Sequence, residues 1–110
     1  MDRIIRLGQL LDWYGAFLTQ RQSALVRQYA YEDCSLAEIA EREGVSRQAV
    51  RDAITRAEKE LTQMEQKLRL IDRYEKMHCA IEQLRKLTDD PAVLTQVQRL
   101  ADILEDNDGV

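Results

Sequence analysis

The fold of this chain is decided by residues 35–56, which read SLAEIAEREGVSRQAVRDAITR. Ser35 is suited to cap the start of a helix, and Glu38 three residues later completes a capping box. Gly44 accepts the left-handed conformation that ends a helix, and Ser46 can cap the helix that follows. Two capped helices joined by a tight turn that contains glycine are the signature of a helix-turn-helix.

The apolar residues of this segment have the spacing that two crossed helices need. Ala40 is small enough to let the second helix cross close to the first, and Val45 is expected to fill the space between them. Val50 and Ile54 are expected to pack the second helix back onto the first. A simple helical corner needs only Gly44 and a cap, so the combined pattern favours a helix-turn-helix.

The outward positions at the start of the second helix are the predicted nucleic-acid contacts. In a helix-turn-helix the N-terminal part of that helix enters the major groove of DNA. Arginine and glutamine make bidentate contacts to base edges, and free amides at a helix start suit a phosphate. Asp52 can accept from a cytosine amino group or pair with Arg56 four residues on. The predicted contacts are Ser46, Arg47, Gln48, Arg51, Asp52, Thr55 and Arg56.

Apolar residues recur at steps of three and four along the whole chain, which predicts an all-α protein. The flanking helices are expected over residues 3–17, 20–29 and 91–105. The aromatic residues of the first helix are expected in the core. They are Trp13, Tyr14 and Phe17. Asn107-Asp108-Gly109 is expected to fray at the end of the last helix.

A heptad seam runs from Val50 to Ile71 and then shifts phase over residues 74–87. The shift predicts either one helix with a stammer or a break near residues 70–73 with Asp72 as a new cap, and we favour the break. The seam is too long for a small helix-turn-helix to cover, so we expect a homodimer, with an intramolecular bundle as the alternative. The predicted dimerisation residues are Leu61, Met64, Leu68, Tyr74, Met77, Ile81 and Leu84.

This pattern divides the chain into a helix-turn-helix domain over residues 1–66 and a helical extension over residues 67–110. The charge divides it in a similar way. The net charge is −4, but residues 88–110 hold six acids against one base, which leaves residues 1–87 at +1. This balance excludes a protein that binds nucleic acid by bulk positive charge and leaves room for a small basic face.

The cysteines and the single histidine predict no metal site. Cys34 and Cys79 form no CxxC pair, and with His78 alone they cannot assemble a zinc site. No nucleophile, base or glycine-rich phosphate loop is recognisable, so we expect no catalytic residues and no cofactor. Free thiols, the absence of a signal peptide and the absence of an apolar run of ~18 residues predict a cytoplasmic protein without membrane insertion.

Residues 18–61 resemble the YlxM family of helix-turn-helix proteins of Gram-positive bacteria. The matching parts are Leu18-Thr19 with Gln22, residues 35–40 and residues 45–50, within a resemblance that covers about residues 4–78. The same segment is similar to the helix-turn-helix of region 4 of sigma factors, which has no wing. The resemblance implies an operon association with the signal recognition particle GTPase and a role in modulating that targeting pathway.

Two hypotheses of function follow. The first is a DNA-binding regulator of transcription with duplex DNA as its partner. The second is an accessory factor that contacts the signal recognition particle GTPase or its RNA and does not read DNA. The outward Arg47, Gln48 and Arg51 favour the first, whereas Asp52 and the net acidity favour the second.

Overall fold

The computed structural model describes residues 2–105, and this range is helical with no strand. The all-α class is therefore confirmed. The helices in this range are α1 (Arg3–Tyr14), α2 (Gln20–Ala30), α3 (Leu36–Glu43), α4 (Arg47–Leu68), α5 (Leu70–Leu87) and α6 (Pro91–Glu105). The chain divides into two compact units, with the first ending at Arg69 and the second beginning at Leu70. The predicted fraying of residues 107–109 lies outside the described residues.

Side-chain caps define the first two helix starts. The Asp2 carboxylate accepts from the Ile4 amide at 2.7 Å and begins α1. Thr19 and Gln22 form a reciprocal capping box at α2, with N···O distances of 3.1 and 3.0 Å. Each cap satisfies amides that have no carbonyl partner in the first helical turn, so these short segments have defined starts.

The core of the first unit is built where α1, α2 and α3 pack against α4. The largest fully buried side chains there are Leu7, Tyr14, Val26, Ile39, Val50 and Leu61. The hydroxyl of Tyr14 donates to the buried carboxylate of Glu65 at 2.5 Å, so a polar contact joins α1 to α4 inside this core. A buried polar group is tolerated when its hydrogen bond is made.

The prediction that all three aromatic residues of the first helix are buried is wrong for two of them. Tyr14 is fully buried, but Trp13 is 38% exposed and Phe17 is 67% exposed. The regular helix ends at Tyr14, and residues 15–17 form a 3₁₀ turn. Because a 3₁₀ turn rotates farther per residue than an α-helix, Phe17 leaves the buried stripe that the helical spacing predicted.

The break between α4 and α5 falls at Arg69, one residue before the predicted range of 70–73. Arg69 adopts a left-handed conformation with φ of 56°, and its amide donates to the Glu65 carbonyl at 2.8 Å. The continuous helix with a stammer is therefore wrong. Asp72 is not the cap either, since it lies in the first turn of α5 and pairs with Lys76 at 3.0 Å. Because Arg69 is not helical, the side chains of α5 do not continue the angular sequence of α4, which explains the shift in apolar phase after Ile71.

The second unit is a hairpin of α5 and α6. Residues 88–90 join the helices, and Asp90 begins α6 by accepting from the Ala92 amide at 2.9 Å. Such a short connection makes the two helices antiparallel neighbours. In agreement, the Tyr74 hydroxyl near the start of α5 donates to Glu105 at the end of α6.

The predicted dimerisation residues do not share one environment. Leu61 is fully buried in the first unit and Ile81 is buried in the second, so neither offers surface to a second copy. This corrects both assignments, because heptad spacing marks an apolar position without naming the element that covers it. Met64 and Tyr74 are half-buried. The exposed members are Leu68, Met77 and Leu84.

Candidate nucleic-acid interface

The turn between α3 and α4 has the geometry that its sequence predicts. Gly44 is left-handed, with φ of 67° and ψ of 34°, and its amide donates to the Ala40 carbonyl. The Val45 amide donates to the same carbonyl at 3.1 Å. The Ser46 hydroxyl then accepts from the Ala49 amide at 3.0 Å and begins α4. A glycine C-cap followed directly by a serine N-cap sets the start of α4 against the end of α3.

The start of α3 is held by a second capping box. The Glu38 amide donates to the Ser35 hydroxyl at 3.1 Å, and the Ser35 amide donates to the Glu38 carboxylate at 2.9 Å. These hydrogen bonds from Ser35 hold the pKa of Glu38 below its usual value, because they favour the ionised carboxylate.

Burial under α4 fixes which of its faces points outward. Val50 and Ile39 are fully buried between the two helices, and Ile54 and Ala40 are almost fully buried. The opposite face is exposed along the first ten residues of α4. All seven predicted contacts lie on exposed positions, and they are Ser46, Arg47, Gln48, Arg51, Asp52, Thr55 and Arg56. Their role in binding stays a prediction.

The starts of α3 and α4 border a common open cleft. Its volume is about 410 Å³. The residues around it are Ser35, Leu36, Ala37, Arg47, Gln48 and Arg51. The first-turn amides of a helix have no carbonyl four residues earlier, so the α3 start supplies donors beside two guanidinium groups. Sequence reasoning did not assign residues 35–37 to the site, although their capping box marks a helix start.

A second, smaller cleft continues the same surface toward α1. Arg3 and Tyr29 line it together with Arg51 and Thr55 of α4. Arg3 is held there by Glu58, with Nε and the carboxylate 2.9 Å apart. No sequence signal could have placed Arg3 next to Arg51, since 48 residues separate them and only the packing of α1 on α4 brings them together.

The cations on the exposed face of α4 are not neutralised by neighbouring acids. Within residues 2–105, the side chains of Arg47, Arg51 and Arg56 form no ion pair or hydrogen bond. By contrast, Arg3 pairs with Glu58 and Arg42 pairs with Glu32 at 3.4 Å. Arg47 and Arg51 lie about 40° apart on one flank of α4, and Arg56 lies about 140° around the helix from Arg51. The guanidinium groups of Arg47 and Arg51 are therefore available together to an anionic ligand.

Asp52 has a different partner from the predicted one. Its carboxylate accepts from the side-chain amide of Gln48 at 2.9 Å, so the predicted pairing with Arg56 is wrong. Both pairings have a spacing of four residues, which places either side chain within reach of Asp52. The consequence is that Arg56 stays unpaired, while an amide donor of Gln48 is used within the helix.

Comparison with known proteins agrees with this geometry. Residues 1–105 match the family UPF0122, described as "Putative helix-turn-helix protein, YlxM / p13 like". This chain belongs to the UPF0122 family. A UPF0122 protein of Symbiobacterium thermophilum is 42% identical over 89 residues, which cover 81% of this chain and 83% of the relative. A UPF0122 protein of Halalkalibacterium halodurans is 37% identical over 105 residues, which cover 96% of each chain.

The family description is that of a helix-turn-helix protein and not that of an enzyme. In the described part of the UPF0122 chain, no three His, Cys, Asp or Glu side chains are grouped to hold a metal ion. His78 instead stacks on Tyr74 and lies 3.6 Å from the Glu105 carboxylate. Within residues 2–105, no helix is long and apolar enough to cross a membrane.

Proposed function

We propose that this UPF0122 protein binds duplex DNA through the start of α4 and acts as a regulator of transcription in the cytoplasm. The observation that carries the proposal is the pair Arg47 and Arg51, two exposed arginines without partners that lie on one flank of α4 beside the start of α3. A capped turn and the buried Val50 hold this face in a fixed orientation. A rigid helix start with free guanidinium groups suits insertion into a major groove.

Each exposed side chain has a role in this arrangement. Arg47 and Arg51 reach base edges or phosphates from successive turns of α4, and the amides at the start of α3 face the DNA backbone. Arg56 lies farther along the helix and contacts a phosphate. In the free protein the side-chain amide of Gln48 donates to Asp52. On binding, this amide exchanges Asp52 for a base edge in the major groove.

The net charge of −4 is compatible with this proposal because of where the acids lie. Residues 88–110 carry a net charge of −5, whereas residues 46–56 carry +2. With about three phosphates neutralised by each chain, the logarithm of the binding constant should fall with the logarithm of salt concentration at a slope near −3. A protein bound by bulk charge would show a steeper slope.

Selection from random duplexes with the purified protein tests the proposal. An enriched motif is expected, and Arg51→Ala should weaken binding to it by ~1–3 kcal/mol. Asp52→Ala should change the sequence preference while it leaves part of the affinity. Arg99→Ala is the matched control, since Arg99 is an exposed arginine of α6 and its loss removes the same charge outside α4.

Equal binding of wild type, Arg51→Ala and Asp52→Ala to the selected and a scrambled duplex would contradict the proposal. It would favour the second candidate, an accessory factor that contacts the signal recognition particle GTPase or its RNA. The observation that favours this candidate is the bond between Gln48 and Asp52, which occupies a base-reading amide and leaves a carboxylate on the groove-facing surface. Calorimetric titration of the protein with that GTPase and with its RNA would then be the deciding measurement.

A further inference from the structure

The hairpin of α5 and α6 leaves large apolar side chains in water. Among the described residues of the second unit, only Ile71, Ile81 and Val97 are buried apolar residues. Six other large apolar side chains are between 42% and 80% exposed, and they are Met77, Leu84, Leu87, Val93, Leu100 and Ile103. A pair of helices alone cannot bury enough surface to hold a stable core, so a hairpin of this kind usually packs against further helices.

The exposed apolar residues of α5 lie on one flank of the helix. At 100° per residue, Met77, Leu84 and Leu87 lie about 40–120° to one side of the buried Ile81. The contacts to α6 lie on the other side of Ile81, because Tyr74 and His78 both reach Glu105. The apolar flank therefore points away from the contact between the two helices.

The exposed apolar residues of α6 have the same placement. Val93, Leu100 and Ile103 lie about 40–120° from the buried Val97, in the same sense of rotation as on α5. Two antiparallel helices are related by a two-fold axis that is perpendicular to the plane containing both helix axes. Residues displaced by the same angle and in the same sense around each helix therefore lie on the same side of that plane. The two flanks therefore form one surface, which we call the hairpin face.

The reverse side of the hairpin is polar. On α5, the residues that lie about 100–160° from Ile81 in the opposite sense are Glu75, Cys79 and Glu82. On α6, the residues at corresponding angles from Val97 are Thr95, Gln98 and Asp102, of which the last two are joined by a hydrogen bond of 2.8 Å. The hairpin is thus amphipathic across its thickness, with one side suited to solvent and the other suited to burial.

We propose that the hairpin face binds the hairpin face of a second copy, so that two hairpins form a four-helix bundle. The six side chains present roughly 600–700 Å² of apolar surface, more than the few hundred Å² that monomeric proteins leave in one patch. Two copies of this area amount to roughly 1,200–1,400 Å², which lies at the lower end of the ~1,200–2,000 Å² that stable interfaces bury. Because the face is apolar on both helices, it can pack against its own copy, which is the isologous contact of a symmetric dimer.

The dimer contact then lies on the flanks of α5 and α6 and not along the predicted seam of α4 and α5. Met77 and Leu84 remain in the interface, and Leu87, Val93, Leu100 and Ile103 are added to it. It does not depend on DNA binding. If the start of α4 binds DNA, the dimer supplies two such helices to a site with two halves.

Sedimentation equilibrium of the full chain tests the proposal. Wild type is expected to have twice the mass of one chain at about 100 µM. Leu84→Glu and Leu100→Glu should each weaken dimerisation at least about a hundredfold, because each symmetric dimer would bury two new charges. Thr95→Glu is the matched control on the polar side of α6, and it should leave the dimer unchanged within about threefold. Circular dichroism verifies that the variants remain helical.

A second measurement covers the case in which a variant fails to fold. A dimer that unfolds to separate chains has a thermal midpoint that rises with protein concentration. We expect that rise for wild type between about 1 and 100 µM. A monomeric wild type, a concentration-independent midpoint, or dimers that persist in both folded Glu variants would overturn the proposal. Equal loss of the dimer in Thr95→Glu would overturn it as well, since the polar side would then be part of the interface.

Discussion

Replacing Gly44 with alanine should lower the free energy of unfolding of the first unit by about 1 kcal/mol. Gly44 has φ of 67°, and a Cβ added there meets no atom within 4 Å. The cost is therefore conformational and not steric. The left-handed region costs a side-chain-bearing residue roughly 1–2 kcal/mol, part of which is offset because alanine also restricts the unfolded chain. Gly44→Asn should lose about half as much, since asparagine tolerates this region.

Gly8 supplies a matched control with the opposite expected sign. It lies inside α1, and a Cβ added there would sit 3.9 Å from a ring carbon of Tyr31, which is an ordinary contact. Alanine is favoured over glycine inside a helix by roughly 0.5–1 kcal/mol. Gly8→Ala should therefore stabilise the first unit, and the two alanine variants should differ by about 2 kcal/mol.

Urea unfolding followed by tryptophan fluorescence measures this difference. Trp13 is the single tryptophan of the chain and lies in α1, so its emission reports on the first unit without a signal from the second. The urea midpoint should fall for Gly44→Ala and rise for Gly8→Ala. The reasoning about the turn is refuted if Gly44→Ala unfolds at or above the wild-type midpoint, or if Gly8→Ala is the less stable of the two.

Two further predictions concern the cap of α3 and the burial of single side chains. Because the pKa of Glu38 is lowered in the folded state, its contribution to stability is present above its unfolded pKa and lost as the pH falls through the folded value. Glu38→Gln should keep the capping box, as Gln22 does in α2, and thermal melts between about pH 5 and 3 should show a weaker acid dependence than wild type. An unchanged acid dependence would contradict this. Phe17→Ser should alter the urea midpoint little, whereas Val50→Ala should cost about 2 kcal/mol, and similar losses for both would refute the assigned burial.

The local features of the site could be predicted from the sequence. The capping box at Ser35, the left-handed Gly44 and the cap at Ser46 all agree with the structure. Each depends on hydrogen bonds between residues no more than five positions apart. The outward face of α4 could also be predicted over a short range, because a buried Val50 determines which neighbouring positions of the helix can be exposed. Residue type and spacing are sufficient for such short-range features.

Two other features of the site could not be predicted from the sequence, namely the partner of Asp52 and the position of Arg3. Asp52 has Gln48 and Arg56 at equal spacing, and the structure selects Gln48. Arg3 reaches the surface near Arg51 through the packing of two helices that are far apart in sequence. Neither choice follows from spacing, because each is decided by side-chain rotamers or by contacts between distant segments.

By itself, the sequence determined the all-α class, the caps at Ser35 and Ser46 and the helix-turn-helix, since these follow from hydrogen bonds and apolar periods within a few residues. Only the tertiary structure decided which apolar residues are covered. The apolar spacing predicted the same role in dimerisation for Leu61 and Leu84, yet Leu61 is fully buried and Leu84 is 42% exposed. Burial depends on the element that packs opposite a residue and on where each helix ends. A single 3₁₀ turn after Tyr14 was enough to rotate Phe17 out of the buried face that the periodicity predicted.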